Sequence, residues 1–163
     1  ANTAWAFAKA GVQAPLLFDA ISDEAVKKLQ TFNAQALSNT IWAFATAEAD
    51  APLLFKAVEA ESQRKLRTFT SQNLANTVWA YATQGVAAPA LFEVVALEAR
   101  QKLPLFKPQE LANVAWAFAT VGFWAPALFE DIASAATSDT SAFTPQELAN
   151  MLWAYSTAGV KAP

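Results

Sequence analysis

The side chains best placed to do chemistry in this sequence are amides. Asn2, Asn39, Asn76, Asn113 and Asn150 follow one another at intervals of 37 residues, and each amide offers both a donor and an acceptor. Held at one position of successive stacked units, such a row could read one base edge of an RNA strand per unit. Asn39, Asn76, Asn113 and Asn150 are therefore the first candidate RNA contacts. Their competing role is structural. Each lies in an alanine-rich stretch, where a buried amide ordinarily satisfies a backbone group of its own protein, here in the loop of the next unit. On that general rule the structural role is the stronger expectation.

A second row is cationic. Lys28, Lys65 and Lys102 share one register, with Lys27 and Arg64 beside them and Asp139 interrupting in the fourth unit. Stacking would align them into a basic edge able to position phosphates. Cations near helix C-termini also complement the helix dipole, and that reading of the same residues is favoured. Phe123 and Trp124 stand out differently. They occupy positions filled by Val12, Ala49, Val86 and Val160, and by Gln13, Asp50, Ala87 and Lys161, in the other copies. An aromatic pair there is a candidate protein-partner contact, with folding over the edge of its own repeat an equal alternative.

Catalysis has little to work with. The 163 residues include no cysteine and no histidine, which removes thiol nucleophiles, imidazole bases and the usual zinc ligands. The carboxylates are scattered, without a nearby base or a glycine-rich phosphate loop. We expect no enzymatic activity, no metal and no cofactor. The formal charge of −3 and pI of about 4.9 give no overall positive field. No apolar run approaches the roughly 18 residues of a membrane span, and no targeting pattern opens the chain.

The elements that must carry these rows are helices. Trp5, Trp42, Trp79, Trp116 and Trp153 keep the same interval, as do Pro15, Pro52, Pro89, Pro126 and Pro163. Thr144-Pro145-Gln146-Glu147 is a capping-box start with proline at the first helical position, and Gly85, Gly122 and Gly159 suit left-handed C-terminal stops. Glu48 stands where the second copy should have glycine. A second helix begins at each Ala-Pro-x-Leu-Phe-like segment, with acidic residues early and basic residues late. Apolar residues surround nearly the whole of Leu37–Ala45, as in a helix packed on several sides. The tryptophans, with Phe44, Tyr81, Phe118 and Tyr155, are expected in the core, and Ala43, Ala80, Ala117 and Ala154 allow close helix approach. The fold class is all-α: an α-solenoid of stacked antiparallel helix pairs with a 37-residue repeat. The expected divisions of one repeat domain over 1–163 are a partial unit 1–31, units 32–68, 69–105 and 106–142, and a partial unit 143–163. Because the chain starts inside the expected first helix, it is expected to be a segment of a longer protein.

The run Phe-x-Pro-Gln-Glu-Leu-Ala-Asn-x-x-Trp-Ala-Phe-Ala-Thr from Phe106 to Thr120, echoed from Phe143 to Thr157, resembles the octotricopeptide and heptatricopeptide repeats of organellar proteins. That resemblance spans essentially the whole sequence. It implies an α-solenoid of the chloroplast or mitochondrion that binds single-stranded RNA in RNA processing, stability, translation or ribosome assembly. The alternative is a protein–protein interaction scaffold or accessory subunit of a larger assembly, which the negative charge and the Phe123–Trp124 pair favour.

Overall fold

The computed structural model describes residues 2–159, and the register residues Val160, Lys161 and Pro163 lie outside the described residues. Nine α-helices follow one another among the described residues, with no strand. They are α1 (Asn2–Lys9), α2 (Pro15–Lys28), α3 (Ala34–Thr46), α4 (Pro52–Lys65), α5 (Ser71–Gln84), α6 (Pro89–Lys102), α7 (Pro108–Val121), α8 (Pro126–Ser138) and α9 (Pro145–Ala158). A short 3-10 turn follows each of α2, α4, α6 and α8. The odd-numbered helices pack side by side in chain order, and the even-numbered ones form a second layer against them. This is an all-α helical-repeat architecture.

Local sequence explains where each helix starts. Pro15, Pro52, Pro89 and Pro126 open the even helices, where the missing N–H leaves no orphan donor and the ring presets φ. The odd helices rely more on side-chain caps. Thr70 Oγ1 accepts from the Asn73 N–H while Asn73 Oδ1 accepts from the Thr70 N–H, and Thr144 and Glu147 make the same reciprocal pair. Asn33 caps α3 by accepting from the Ala36 N–H at 2.8 Å.

At the other end, Gly85 takes φ +64° and Val86 donates back to the Tyr81 carbonyl. Glu48 makes the same turn at φ +52°, with Ala49 donating to the Phe44 carbonyl. The departure from glycine therefore leaves the turn intact but strains it, since a left-handed non-glycine residue costs about 1 kcal/mol.

The core runs between the layers. Phe44, Tyr81 and Phe118 are buried, and each meets a phenylalanine of the preceding even helix edge to face: Phe18, Phe55 and Phe92, with ring centroids 4.9–5.1 Å apart. Phe129 and Tyr155 repeat the contact at 5.2 Å. The two tyrosines also donate to the carbonyls of Phe55 and Phe129. Ala43, Ala80, Ala117 and Ala154 have no exposed surface, which lets adjacent odd helices approach closely.

The tryptophans are core residues only in part. Trp42, Trp79 and Trp116 pack against the core but remain partly exposed, and Trp5 and Trp153 are 41% and 46% exposed. An odd helix has the even layer on one side and odd neighbours on its flanks. Among the described residues nothing covers its fourth side, and the tryptophans stand along that side.

Candidate nucleic-acid interface

The open side of α3 presents Gln35, Asn39, Trp42 and Thr46 at i, i+4, i+7 and i+11, a single helical face. The same face recurs as Gln72, Asn76, Trp79 and Thr83 on α5, Gln109, Asn113, Trp116 and Thr120 on α7, and Gln146, Asn150, Trp153 and Thr157 on α9. Side by side, these helices form a groove of about 430 Å³ that runs from Trp5 on α1 to Asn113 on α7. Two of the indole pairs lie close, Trp42 with Trp79 at 6.3 Å and Trp116 with Trp153 at 6.4 Å between centroids.

The four candidate asparagines all reach this groove side or its continuation on α9, each partly buried. The expected structural role is not what they do. Among the described residues, no side-chain hydrogen bond to protein involves Asn39, Asn76, Asn113 or Asn150, or the exposed amides of Gln35, Gln72, Gln109 and Gln146. The asparagine that does pair inside the protein is another one: buried Asn73 donates to Ser38 Oγ at 3.0 Å. Along the open face, donors and acceptors are thus left for a ligand, next to indole rings that can stack on bases.

The lysine row lies elsewhere and is occupied. Lys65 Nζ donates to the carbonyls of Gln30 and Phe32 and pairs with Glu61 at 2.9 Å. Lys102 repeats this with the carbonyls of Arg67 and Phe69 and with Glu98 at 2.7 Å. An ammonium has three donors, so both are fully engaged in fastening one turn to the end of the next helix. Lys28 pairs with Glu24 on the surface. Lys28 and Lys27 hold the Glu24 carboxyl below its usual range, and hydrogen bonds from Arg64 and Lys65 do the same for Glu61. In place of a free basic edge, the structure has ion pairs and inter-repeat clamps.

Phe123 and Trp124 separate. Phe123 packs on Phe92 and Phe118, at 6.1 and 5.8 Å between centroids, so it is an internal plug. Trp124 is 62% exposed. It borders a hollow of about 330 Å³ with Leu97, Glu93 and Arg100 on the outer edge of α6 and α8, where Arg100 bridges to Asp131 at 2.5 Å.

Among the described residues no cluster of His, Cys, Asp or Glu is arranged to hold a metal ion, and no helix is long and apolar enough to cross a membrane. The glutamine rows carried a signal that register alone did not convert into a site: Gln35, Asn39, Trp42 and Thr46 fall on one line of a helix whose other polar side chains, Ser38 and Thr40, are buried. A search of curated proteins gives no match to this sequence. The sequence model of the family described as RNA-editing substrate-binding complex 6 protein matches residues 1–163. With every residue inside that match, the chain belongs to the RNA-editing substrate-binding complex 6 family.

Proposed function

We propose that this chain is a single-stranded-RNA-binding helical repeat that holds RNA substrate within an RNA-editing assembly of the mitochondrion. The observation that carries the reading is the open face of the odd helices. Eight amides without a protein partner among the described residues stand there in register with partly exposed indoles. That combination suits unpaired bases, which offer both a π-face and hydrogen-bonding edges. The family description, which names substrate binding in RNA editing, points the same way, as does the resemblance to organellar helical repeats. We assign the chain a binding role and no catalytic step.

A labelled mixed-sequence single-stranded RNA pool, followed by fluorescence anisotropy, tests this. Binding should weaken at least tenfold in Trp42→Ala/Trp79→Ala, since base–aromatic stacking contributes about 1–3 kcal/mol per base. No binding at low salt would refute the reading and leave a protein scaffold as the function. Trp124 beside Leu97 favours a protein contact on the outer edge as a second, compatible role.

A further inference from the structure

We propose that the groove grips an unpaired strand by its bases and leaves the sugar–phosphate chain facing solvent, so that affinity depends little on backbone charge. This rests on the single-stranded-RNA reading above and specifies which side of the strand the site recognises.

The charge inventory carries the inference. Along α1, α3, α5, α7 and α9 the charged side chains are Lys9, Glu110 and Glu147 alone. Lys107, at the start of α7, adds a second cation to the groove, and the carboxylate of Glu110 lies beside it, accepting from the Lys107 N–H at 2.9 Å. Every other described cation is on an even helix or the turn that follows one. Of those in the lysine row, Lys65 and Lys102 have all three donors taken by carbonyls and a glutamate.

The helix N-termini do not make up the deficit. The third amides of α3, α5 and α9 already donate to Asn33, Thr70 and Thr144, and Pro108 and Pro145 have no N–H to give. Neutralising a strand's phosphates takes a cation for each one, and a neutral amide that reaches a phosphate oxygen adds nothing to that charge balance. Among the described residues this face has two cations, against eight amides with no protein partner and a row of indoles. The surface complementary to it is therefore the base edges and base faces of a single strand, with the phosphates turned outward.

Three oligomers of equal length separate the possibilities on the whole chain: mixed-sequence RNA, a morpholino of the same sequences with an uncharged backbone, and an abasic strand that keeps the phosphates. Two phosphate contacts, at about 0.7 each in the logarithmic salt slope, limit the loss of RNA affinity between 50 and 200 mM salt to about sevenfold. The morpholino should displace labelled RNA within about threefold of unlabelled RNA, and the abasic strand should be at least tenfold poorer. A loss of about fiftyfold or more, the mark of four or more phosphate contacts, with the abasic strand competing as well as RNA, would overturn the proposal while leaving RNA binding intact. RNA that fails to bind even at 50 mM would overturn the functional reading together with it.

Discussion

Lys65→Met removes an ammonium while keeping most of the side chain's length and apolar stem, so it isolates the clamp that joins α4 to the turn before α3. Three interactions are lost: those to the carbonyls of Gln30 and Phe32, at 2.8 and 2.7 Å, and that to Glu61 at 2.9 Å. Hydrogen bonds from a charged donor contribute about 1.5–3 kcal/mol each when buried. Here the sum is smaller. The Lys65 side chain is 27% exposed, water can reach the Gln30 carbonyl, and Arg64 continues to pair with Glu61. The expected net destabilisation is about 2–3 kcal/mol, equivalent to a fall of about 4–12 °C in Tm for a chain of this size.

Lys28→Met is the internal control. Its pair with Glu24 is exposed on both sides, and such pairs contribute about 0–1 kcal/mol. Urea titrations followed by far-UV circular dichroism compare the two variants, and the anisotropy assay measures their RNA affinity. Equal stability of Lys65→Met and Lys28→Met would refute the clamp. RNA affinity that falls in Lys65→Met while stability does not would restore the lysine row as a phosphate contact.

Three further outcomes follow from the packing. Phe118→Ala should destabilise by about 3–5 kcal/mol, and Trp79→Ala by less, about 2–3 kcal/mol, because its ring keeps one side on the groove; paired urea titrations decide the order. Glu48→Gly should stabilise by about 0.5–1 kcal/mol in the same titration, releasing left-handed strain that exceeds the added freedom of the unfolded chain. Burial raises the Tyr81 hydroxyl far above its ordinary value of 10, and Tyr155 is pushed up to about 12. A raised folded-state value means that this stability is complete below about pH 10 and is lost as pH climbs toward the folded-state values. Melting temperature should thus fall from about pH 10 upward, and less steeply in Tyr81→Phe/Tyr155→Phe.

Helix starts and stops were legible because their signals are local. Proline at the first turn, the Thr144 cap and the left-handed glycines each act within four residues of where they sit. Glu48 shows how far this goes: the turn survives a poor residue because Ala49 still bonds to Phe44 and the flanking helices hold it. The candidate site was less legible, since which side of α3 lies open depends on neighbours 37 residues away. Apolar residues nearly encircle that helix in sequence, and the line Gln35–Asn39–Trp42–Thr46 that marks the uncovered side competes with Ser38 and Thr40, which are polar yet buried. The lysine register was visible, but not its targets. Lys65 and Lys102 reach carbonyls 33 to 35 residues back in the chain, a contact that exists only after stacking. Phe123 and Trp124 are neighbours in sequence, yet the chain turning into α8 sends one ring inward to Phe92 and leaves the other outside.

The most direct test of the central claim is to cross-link the chain to single-stranded RNA with ultraviolet light and map the attached peptides by mass spectrometry. Cross-links should fall on the open face of the odd helices, at or beside Trp42, Trp79, Trp116 and Trp153 and the asparagines one turn before them. Cross-links concentrated on α2, α4, α6 and α8, around Lys28, Lys65 and Lys102, would contradict the account.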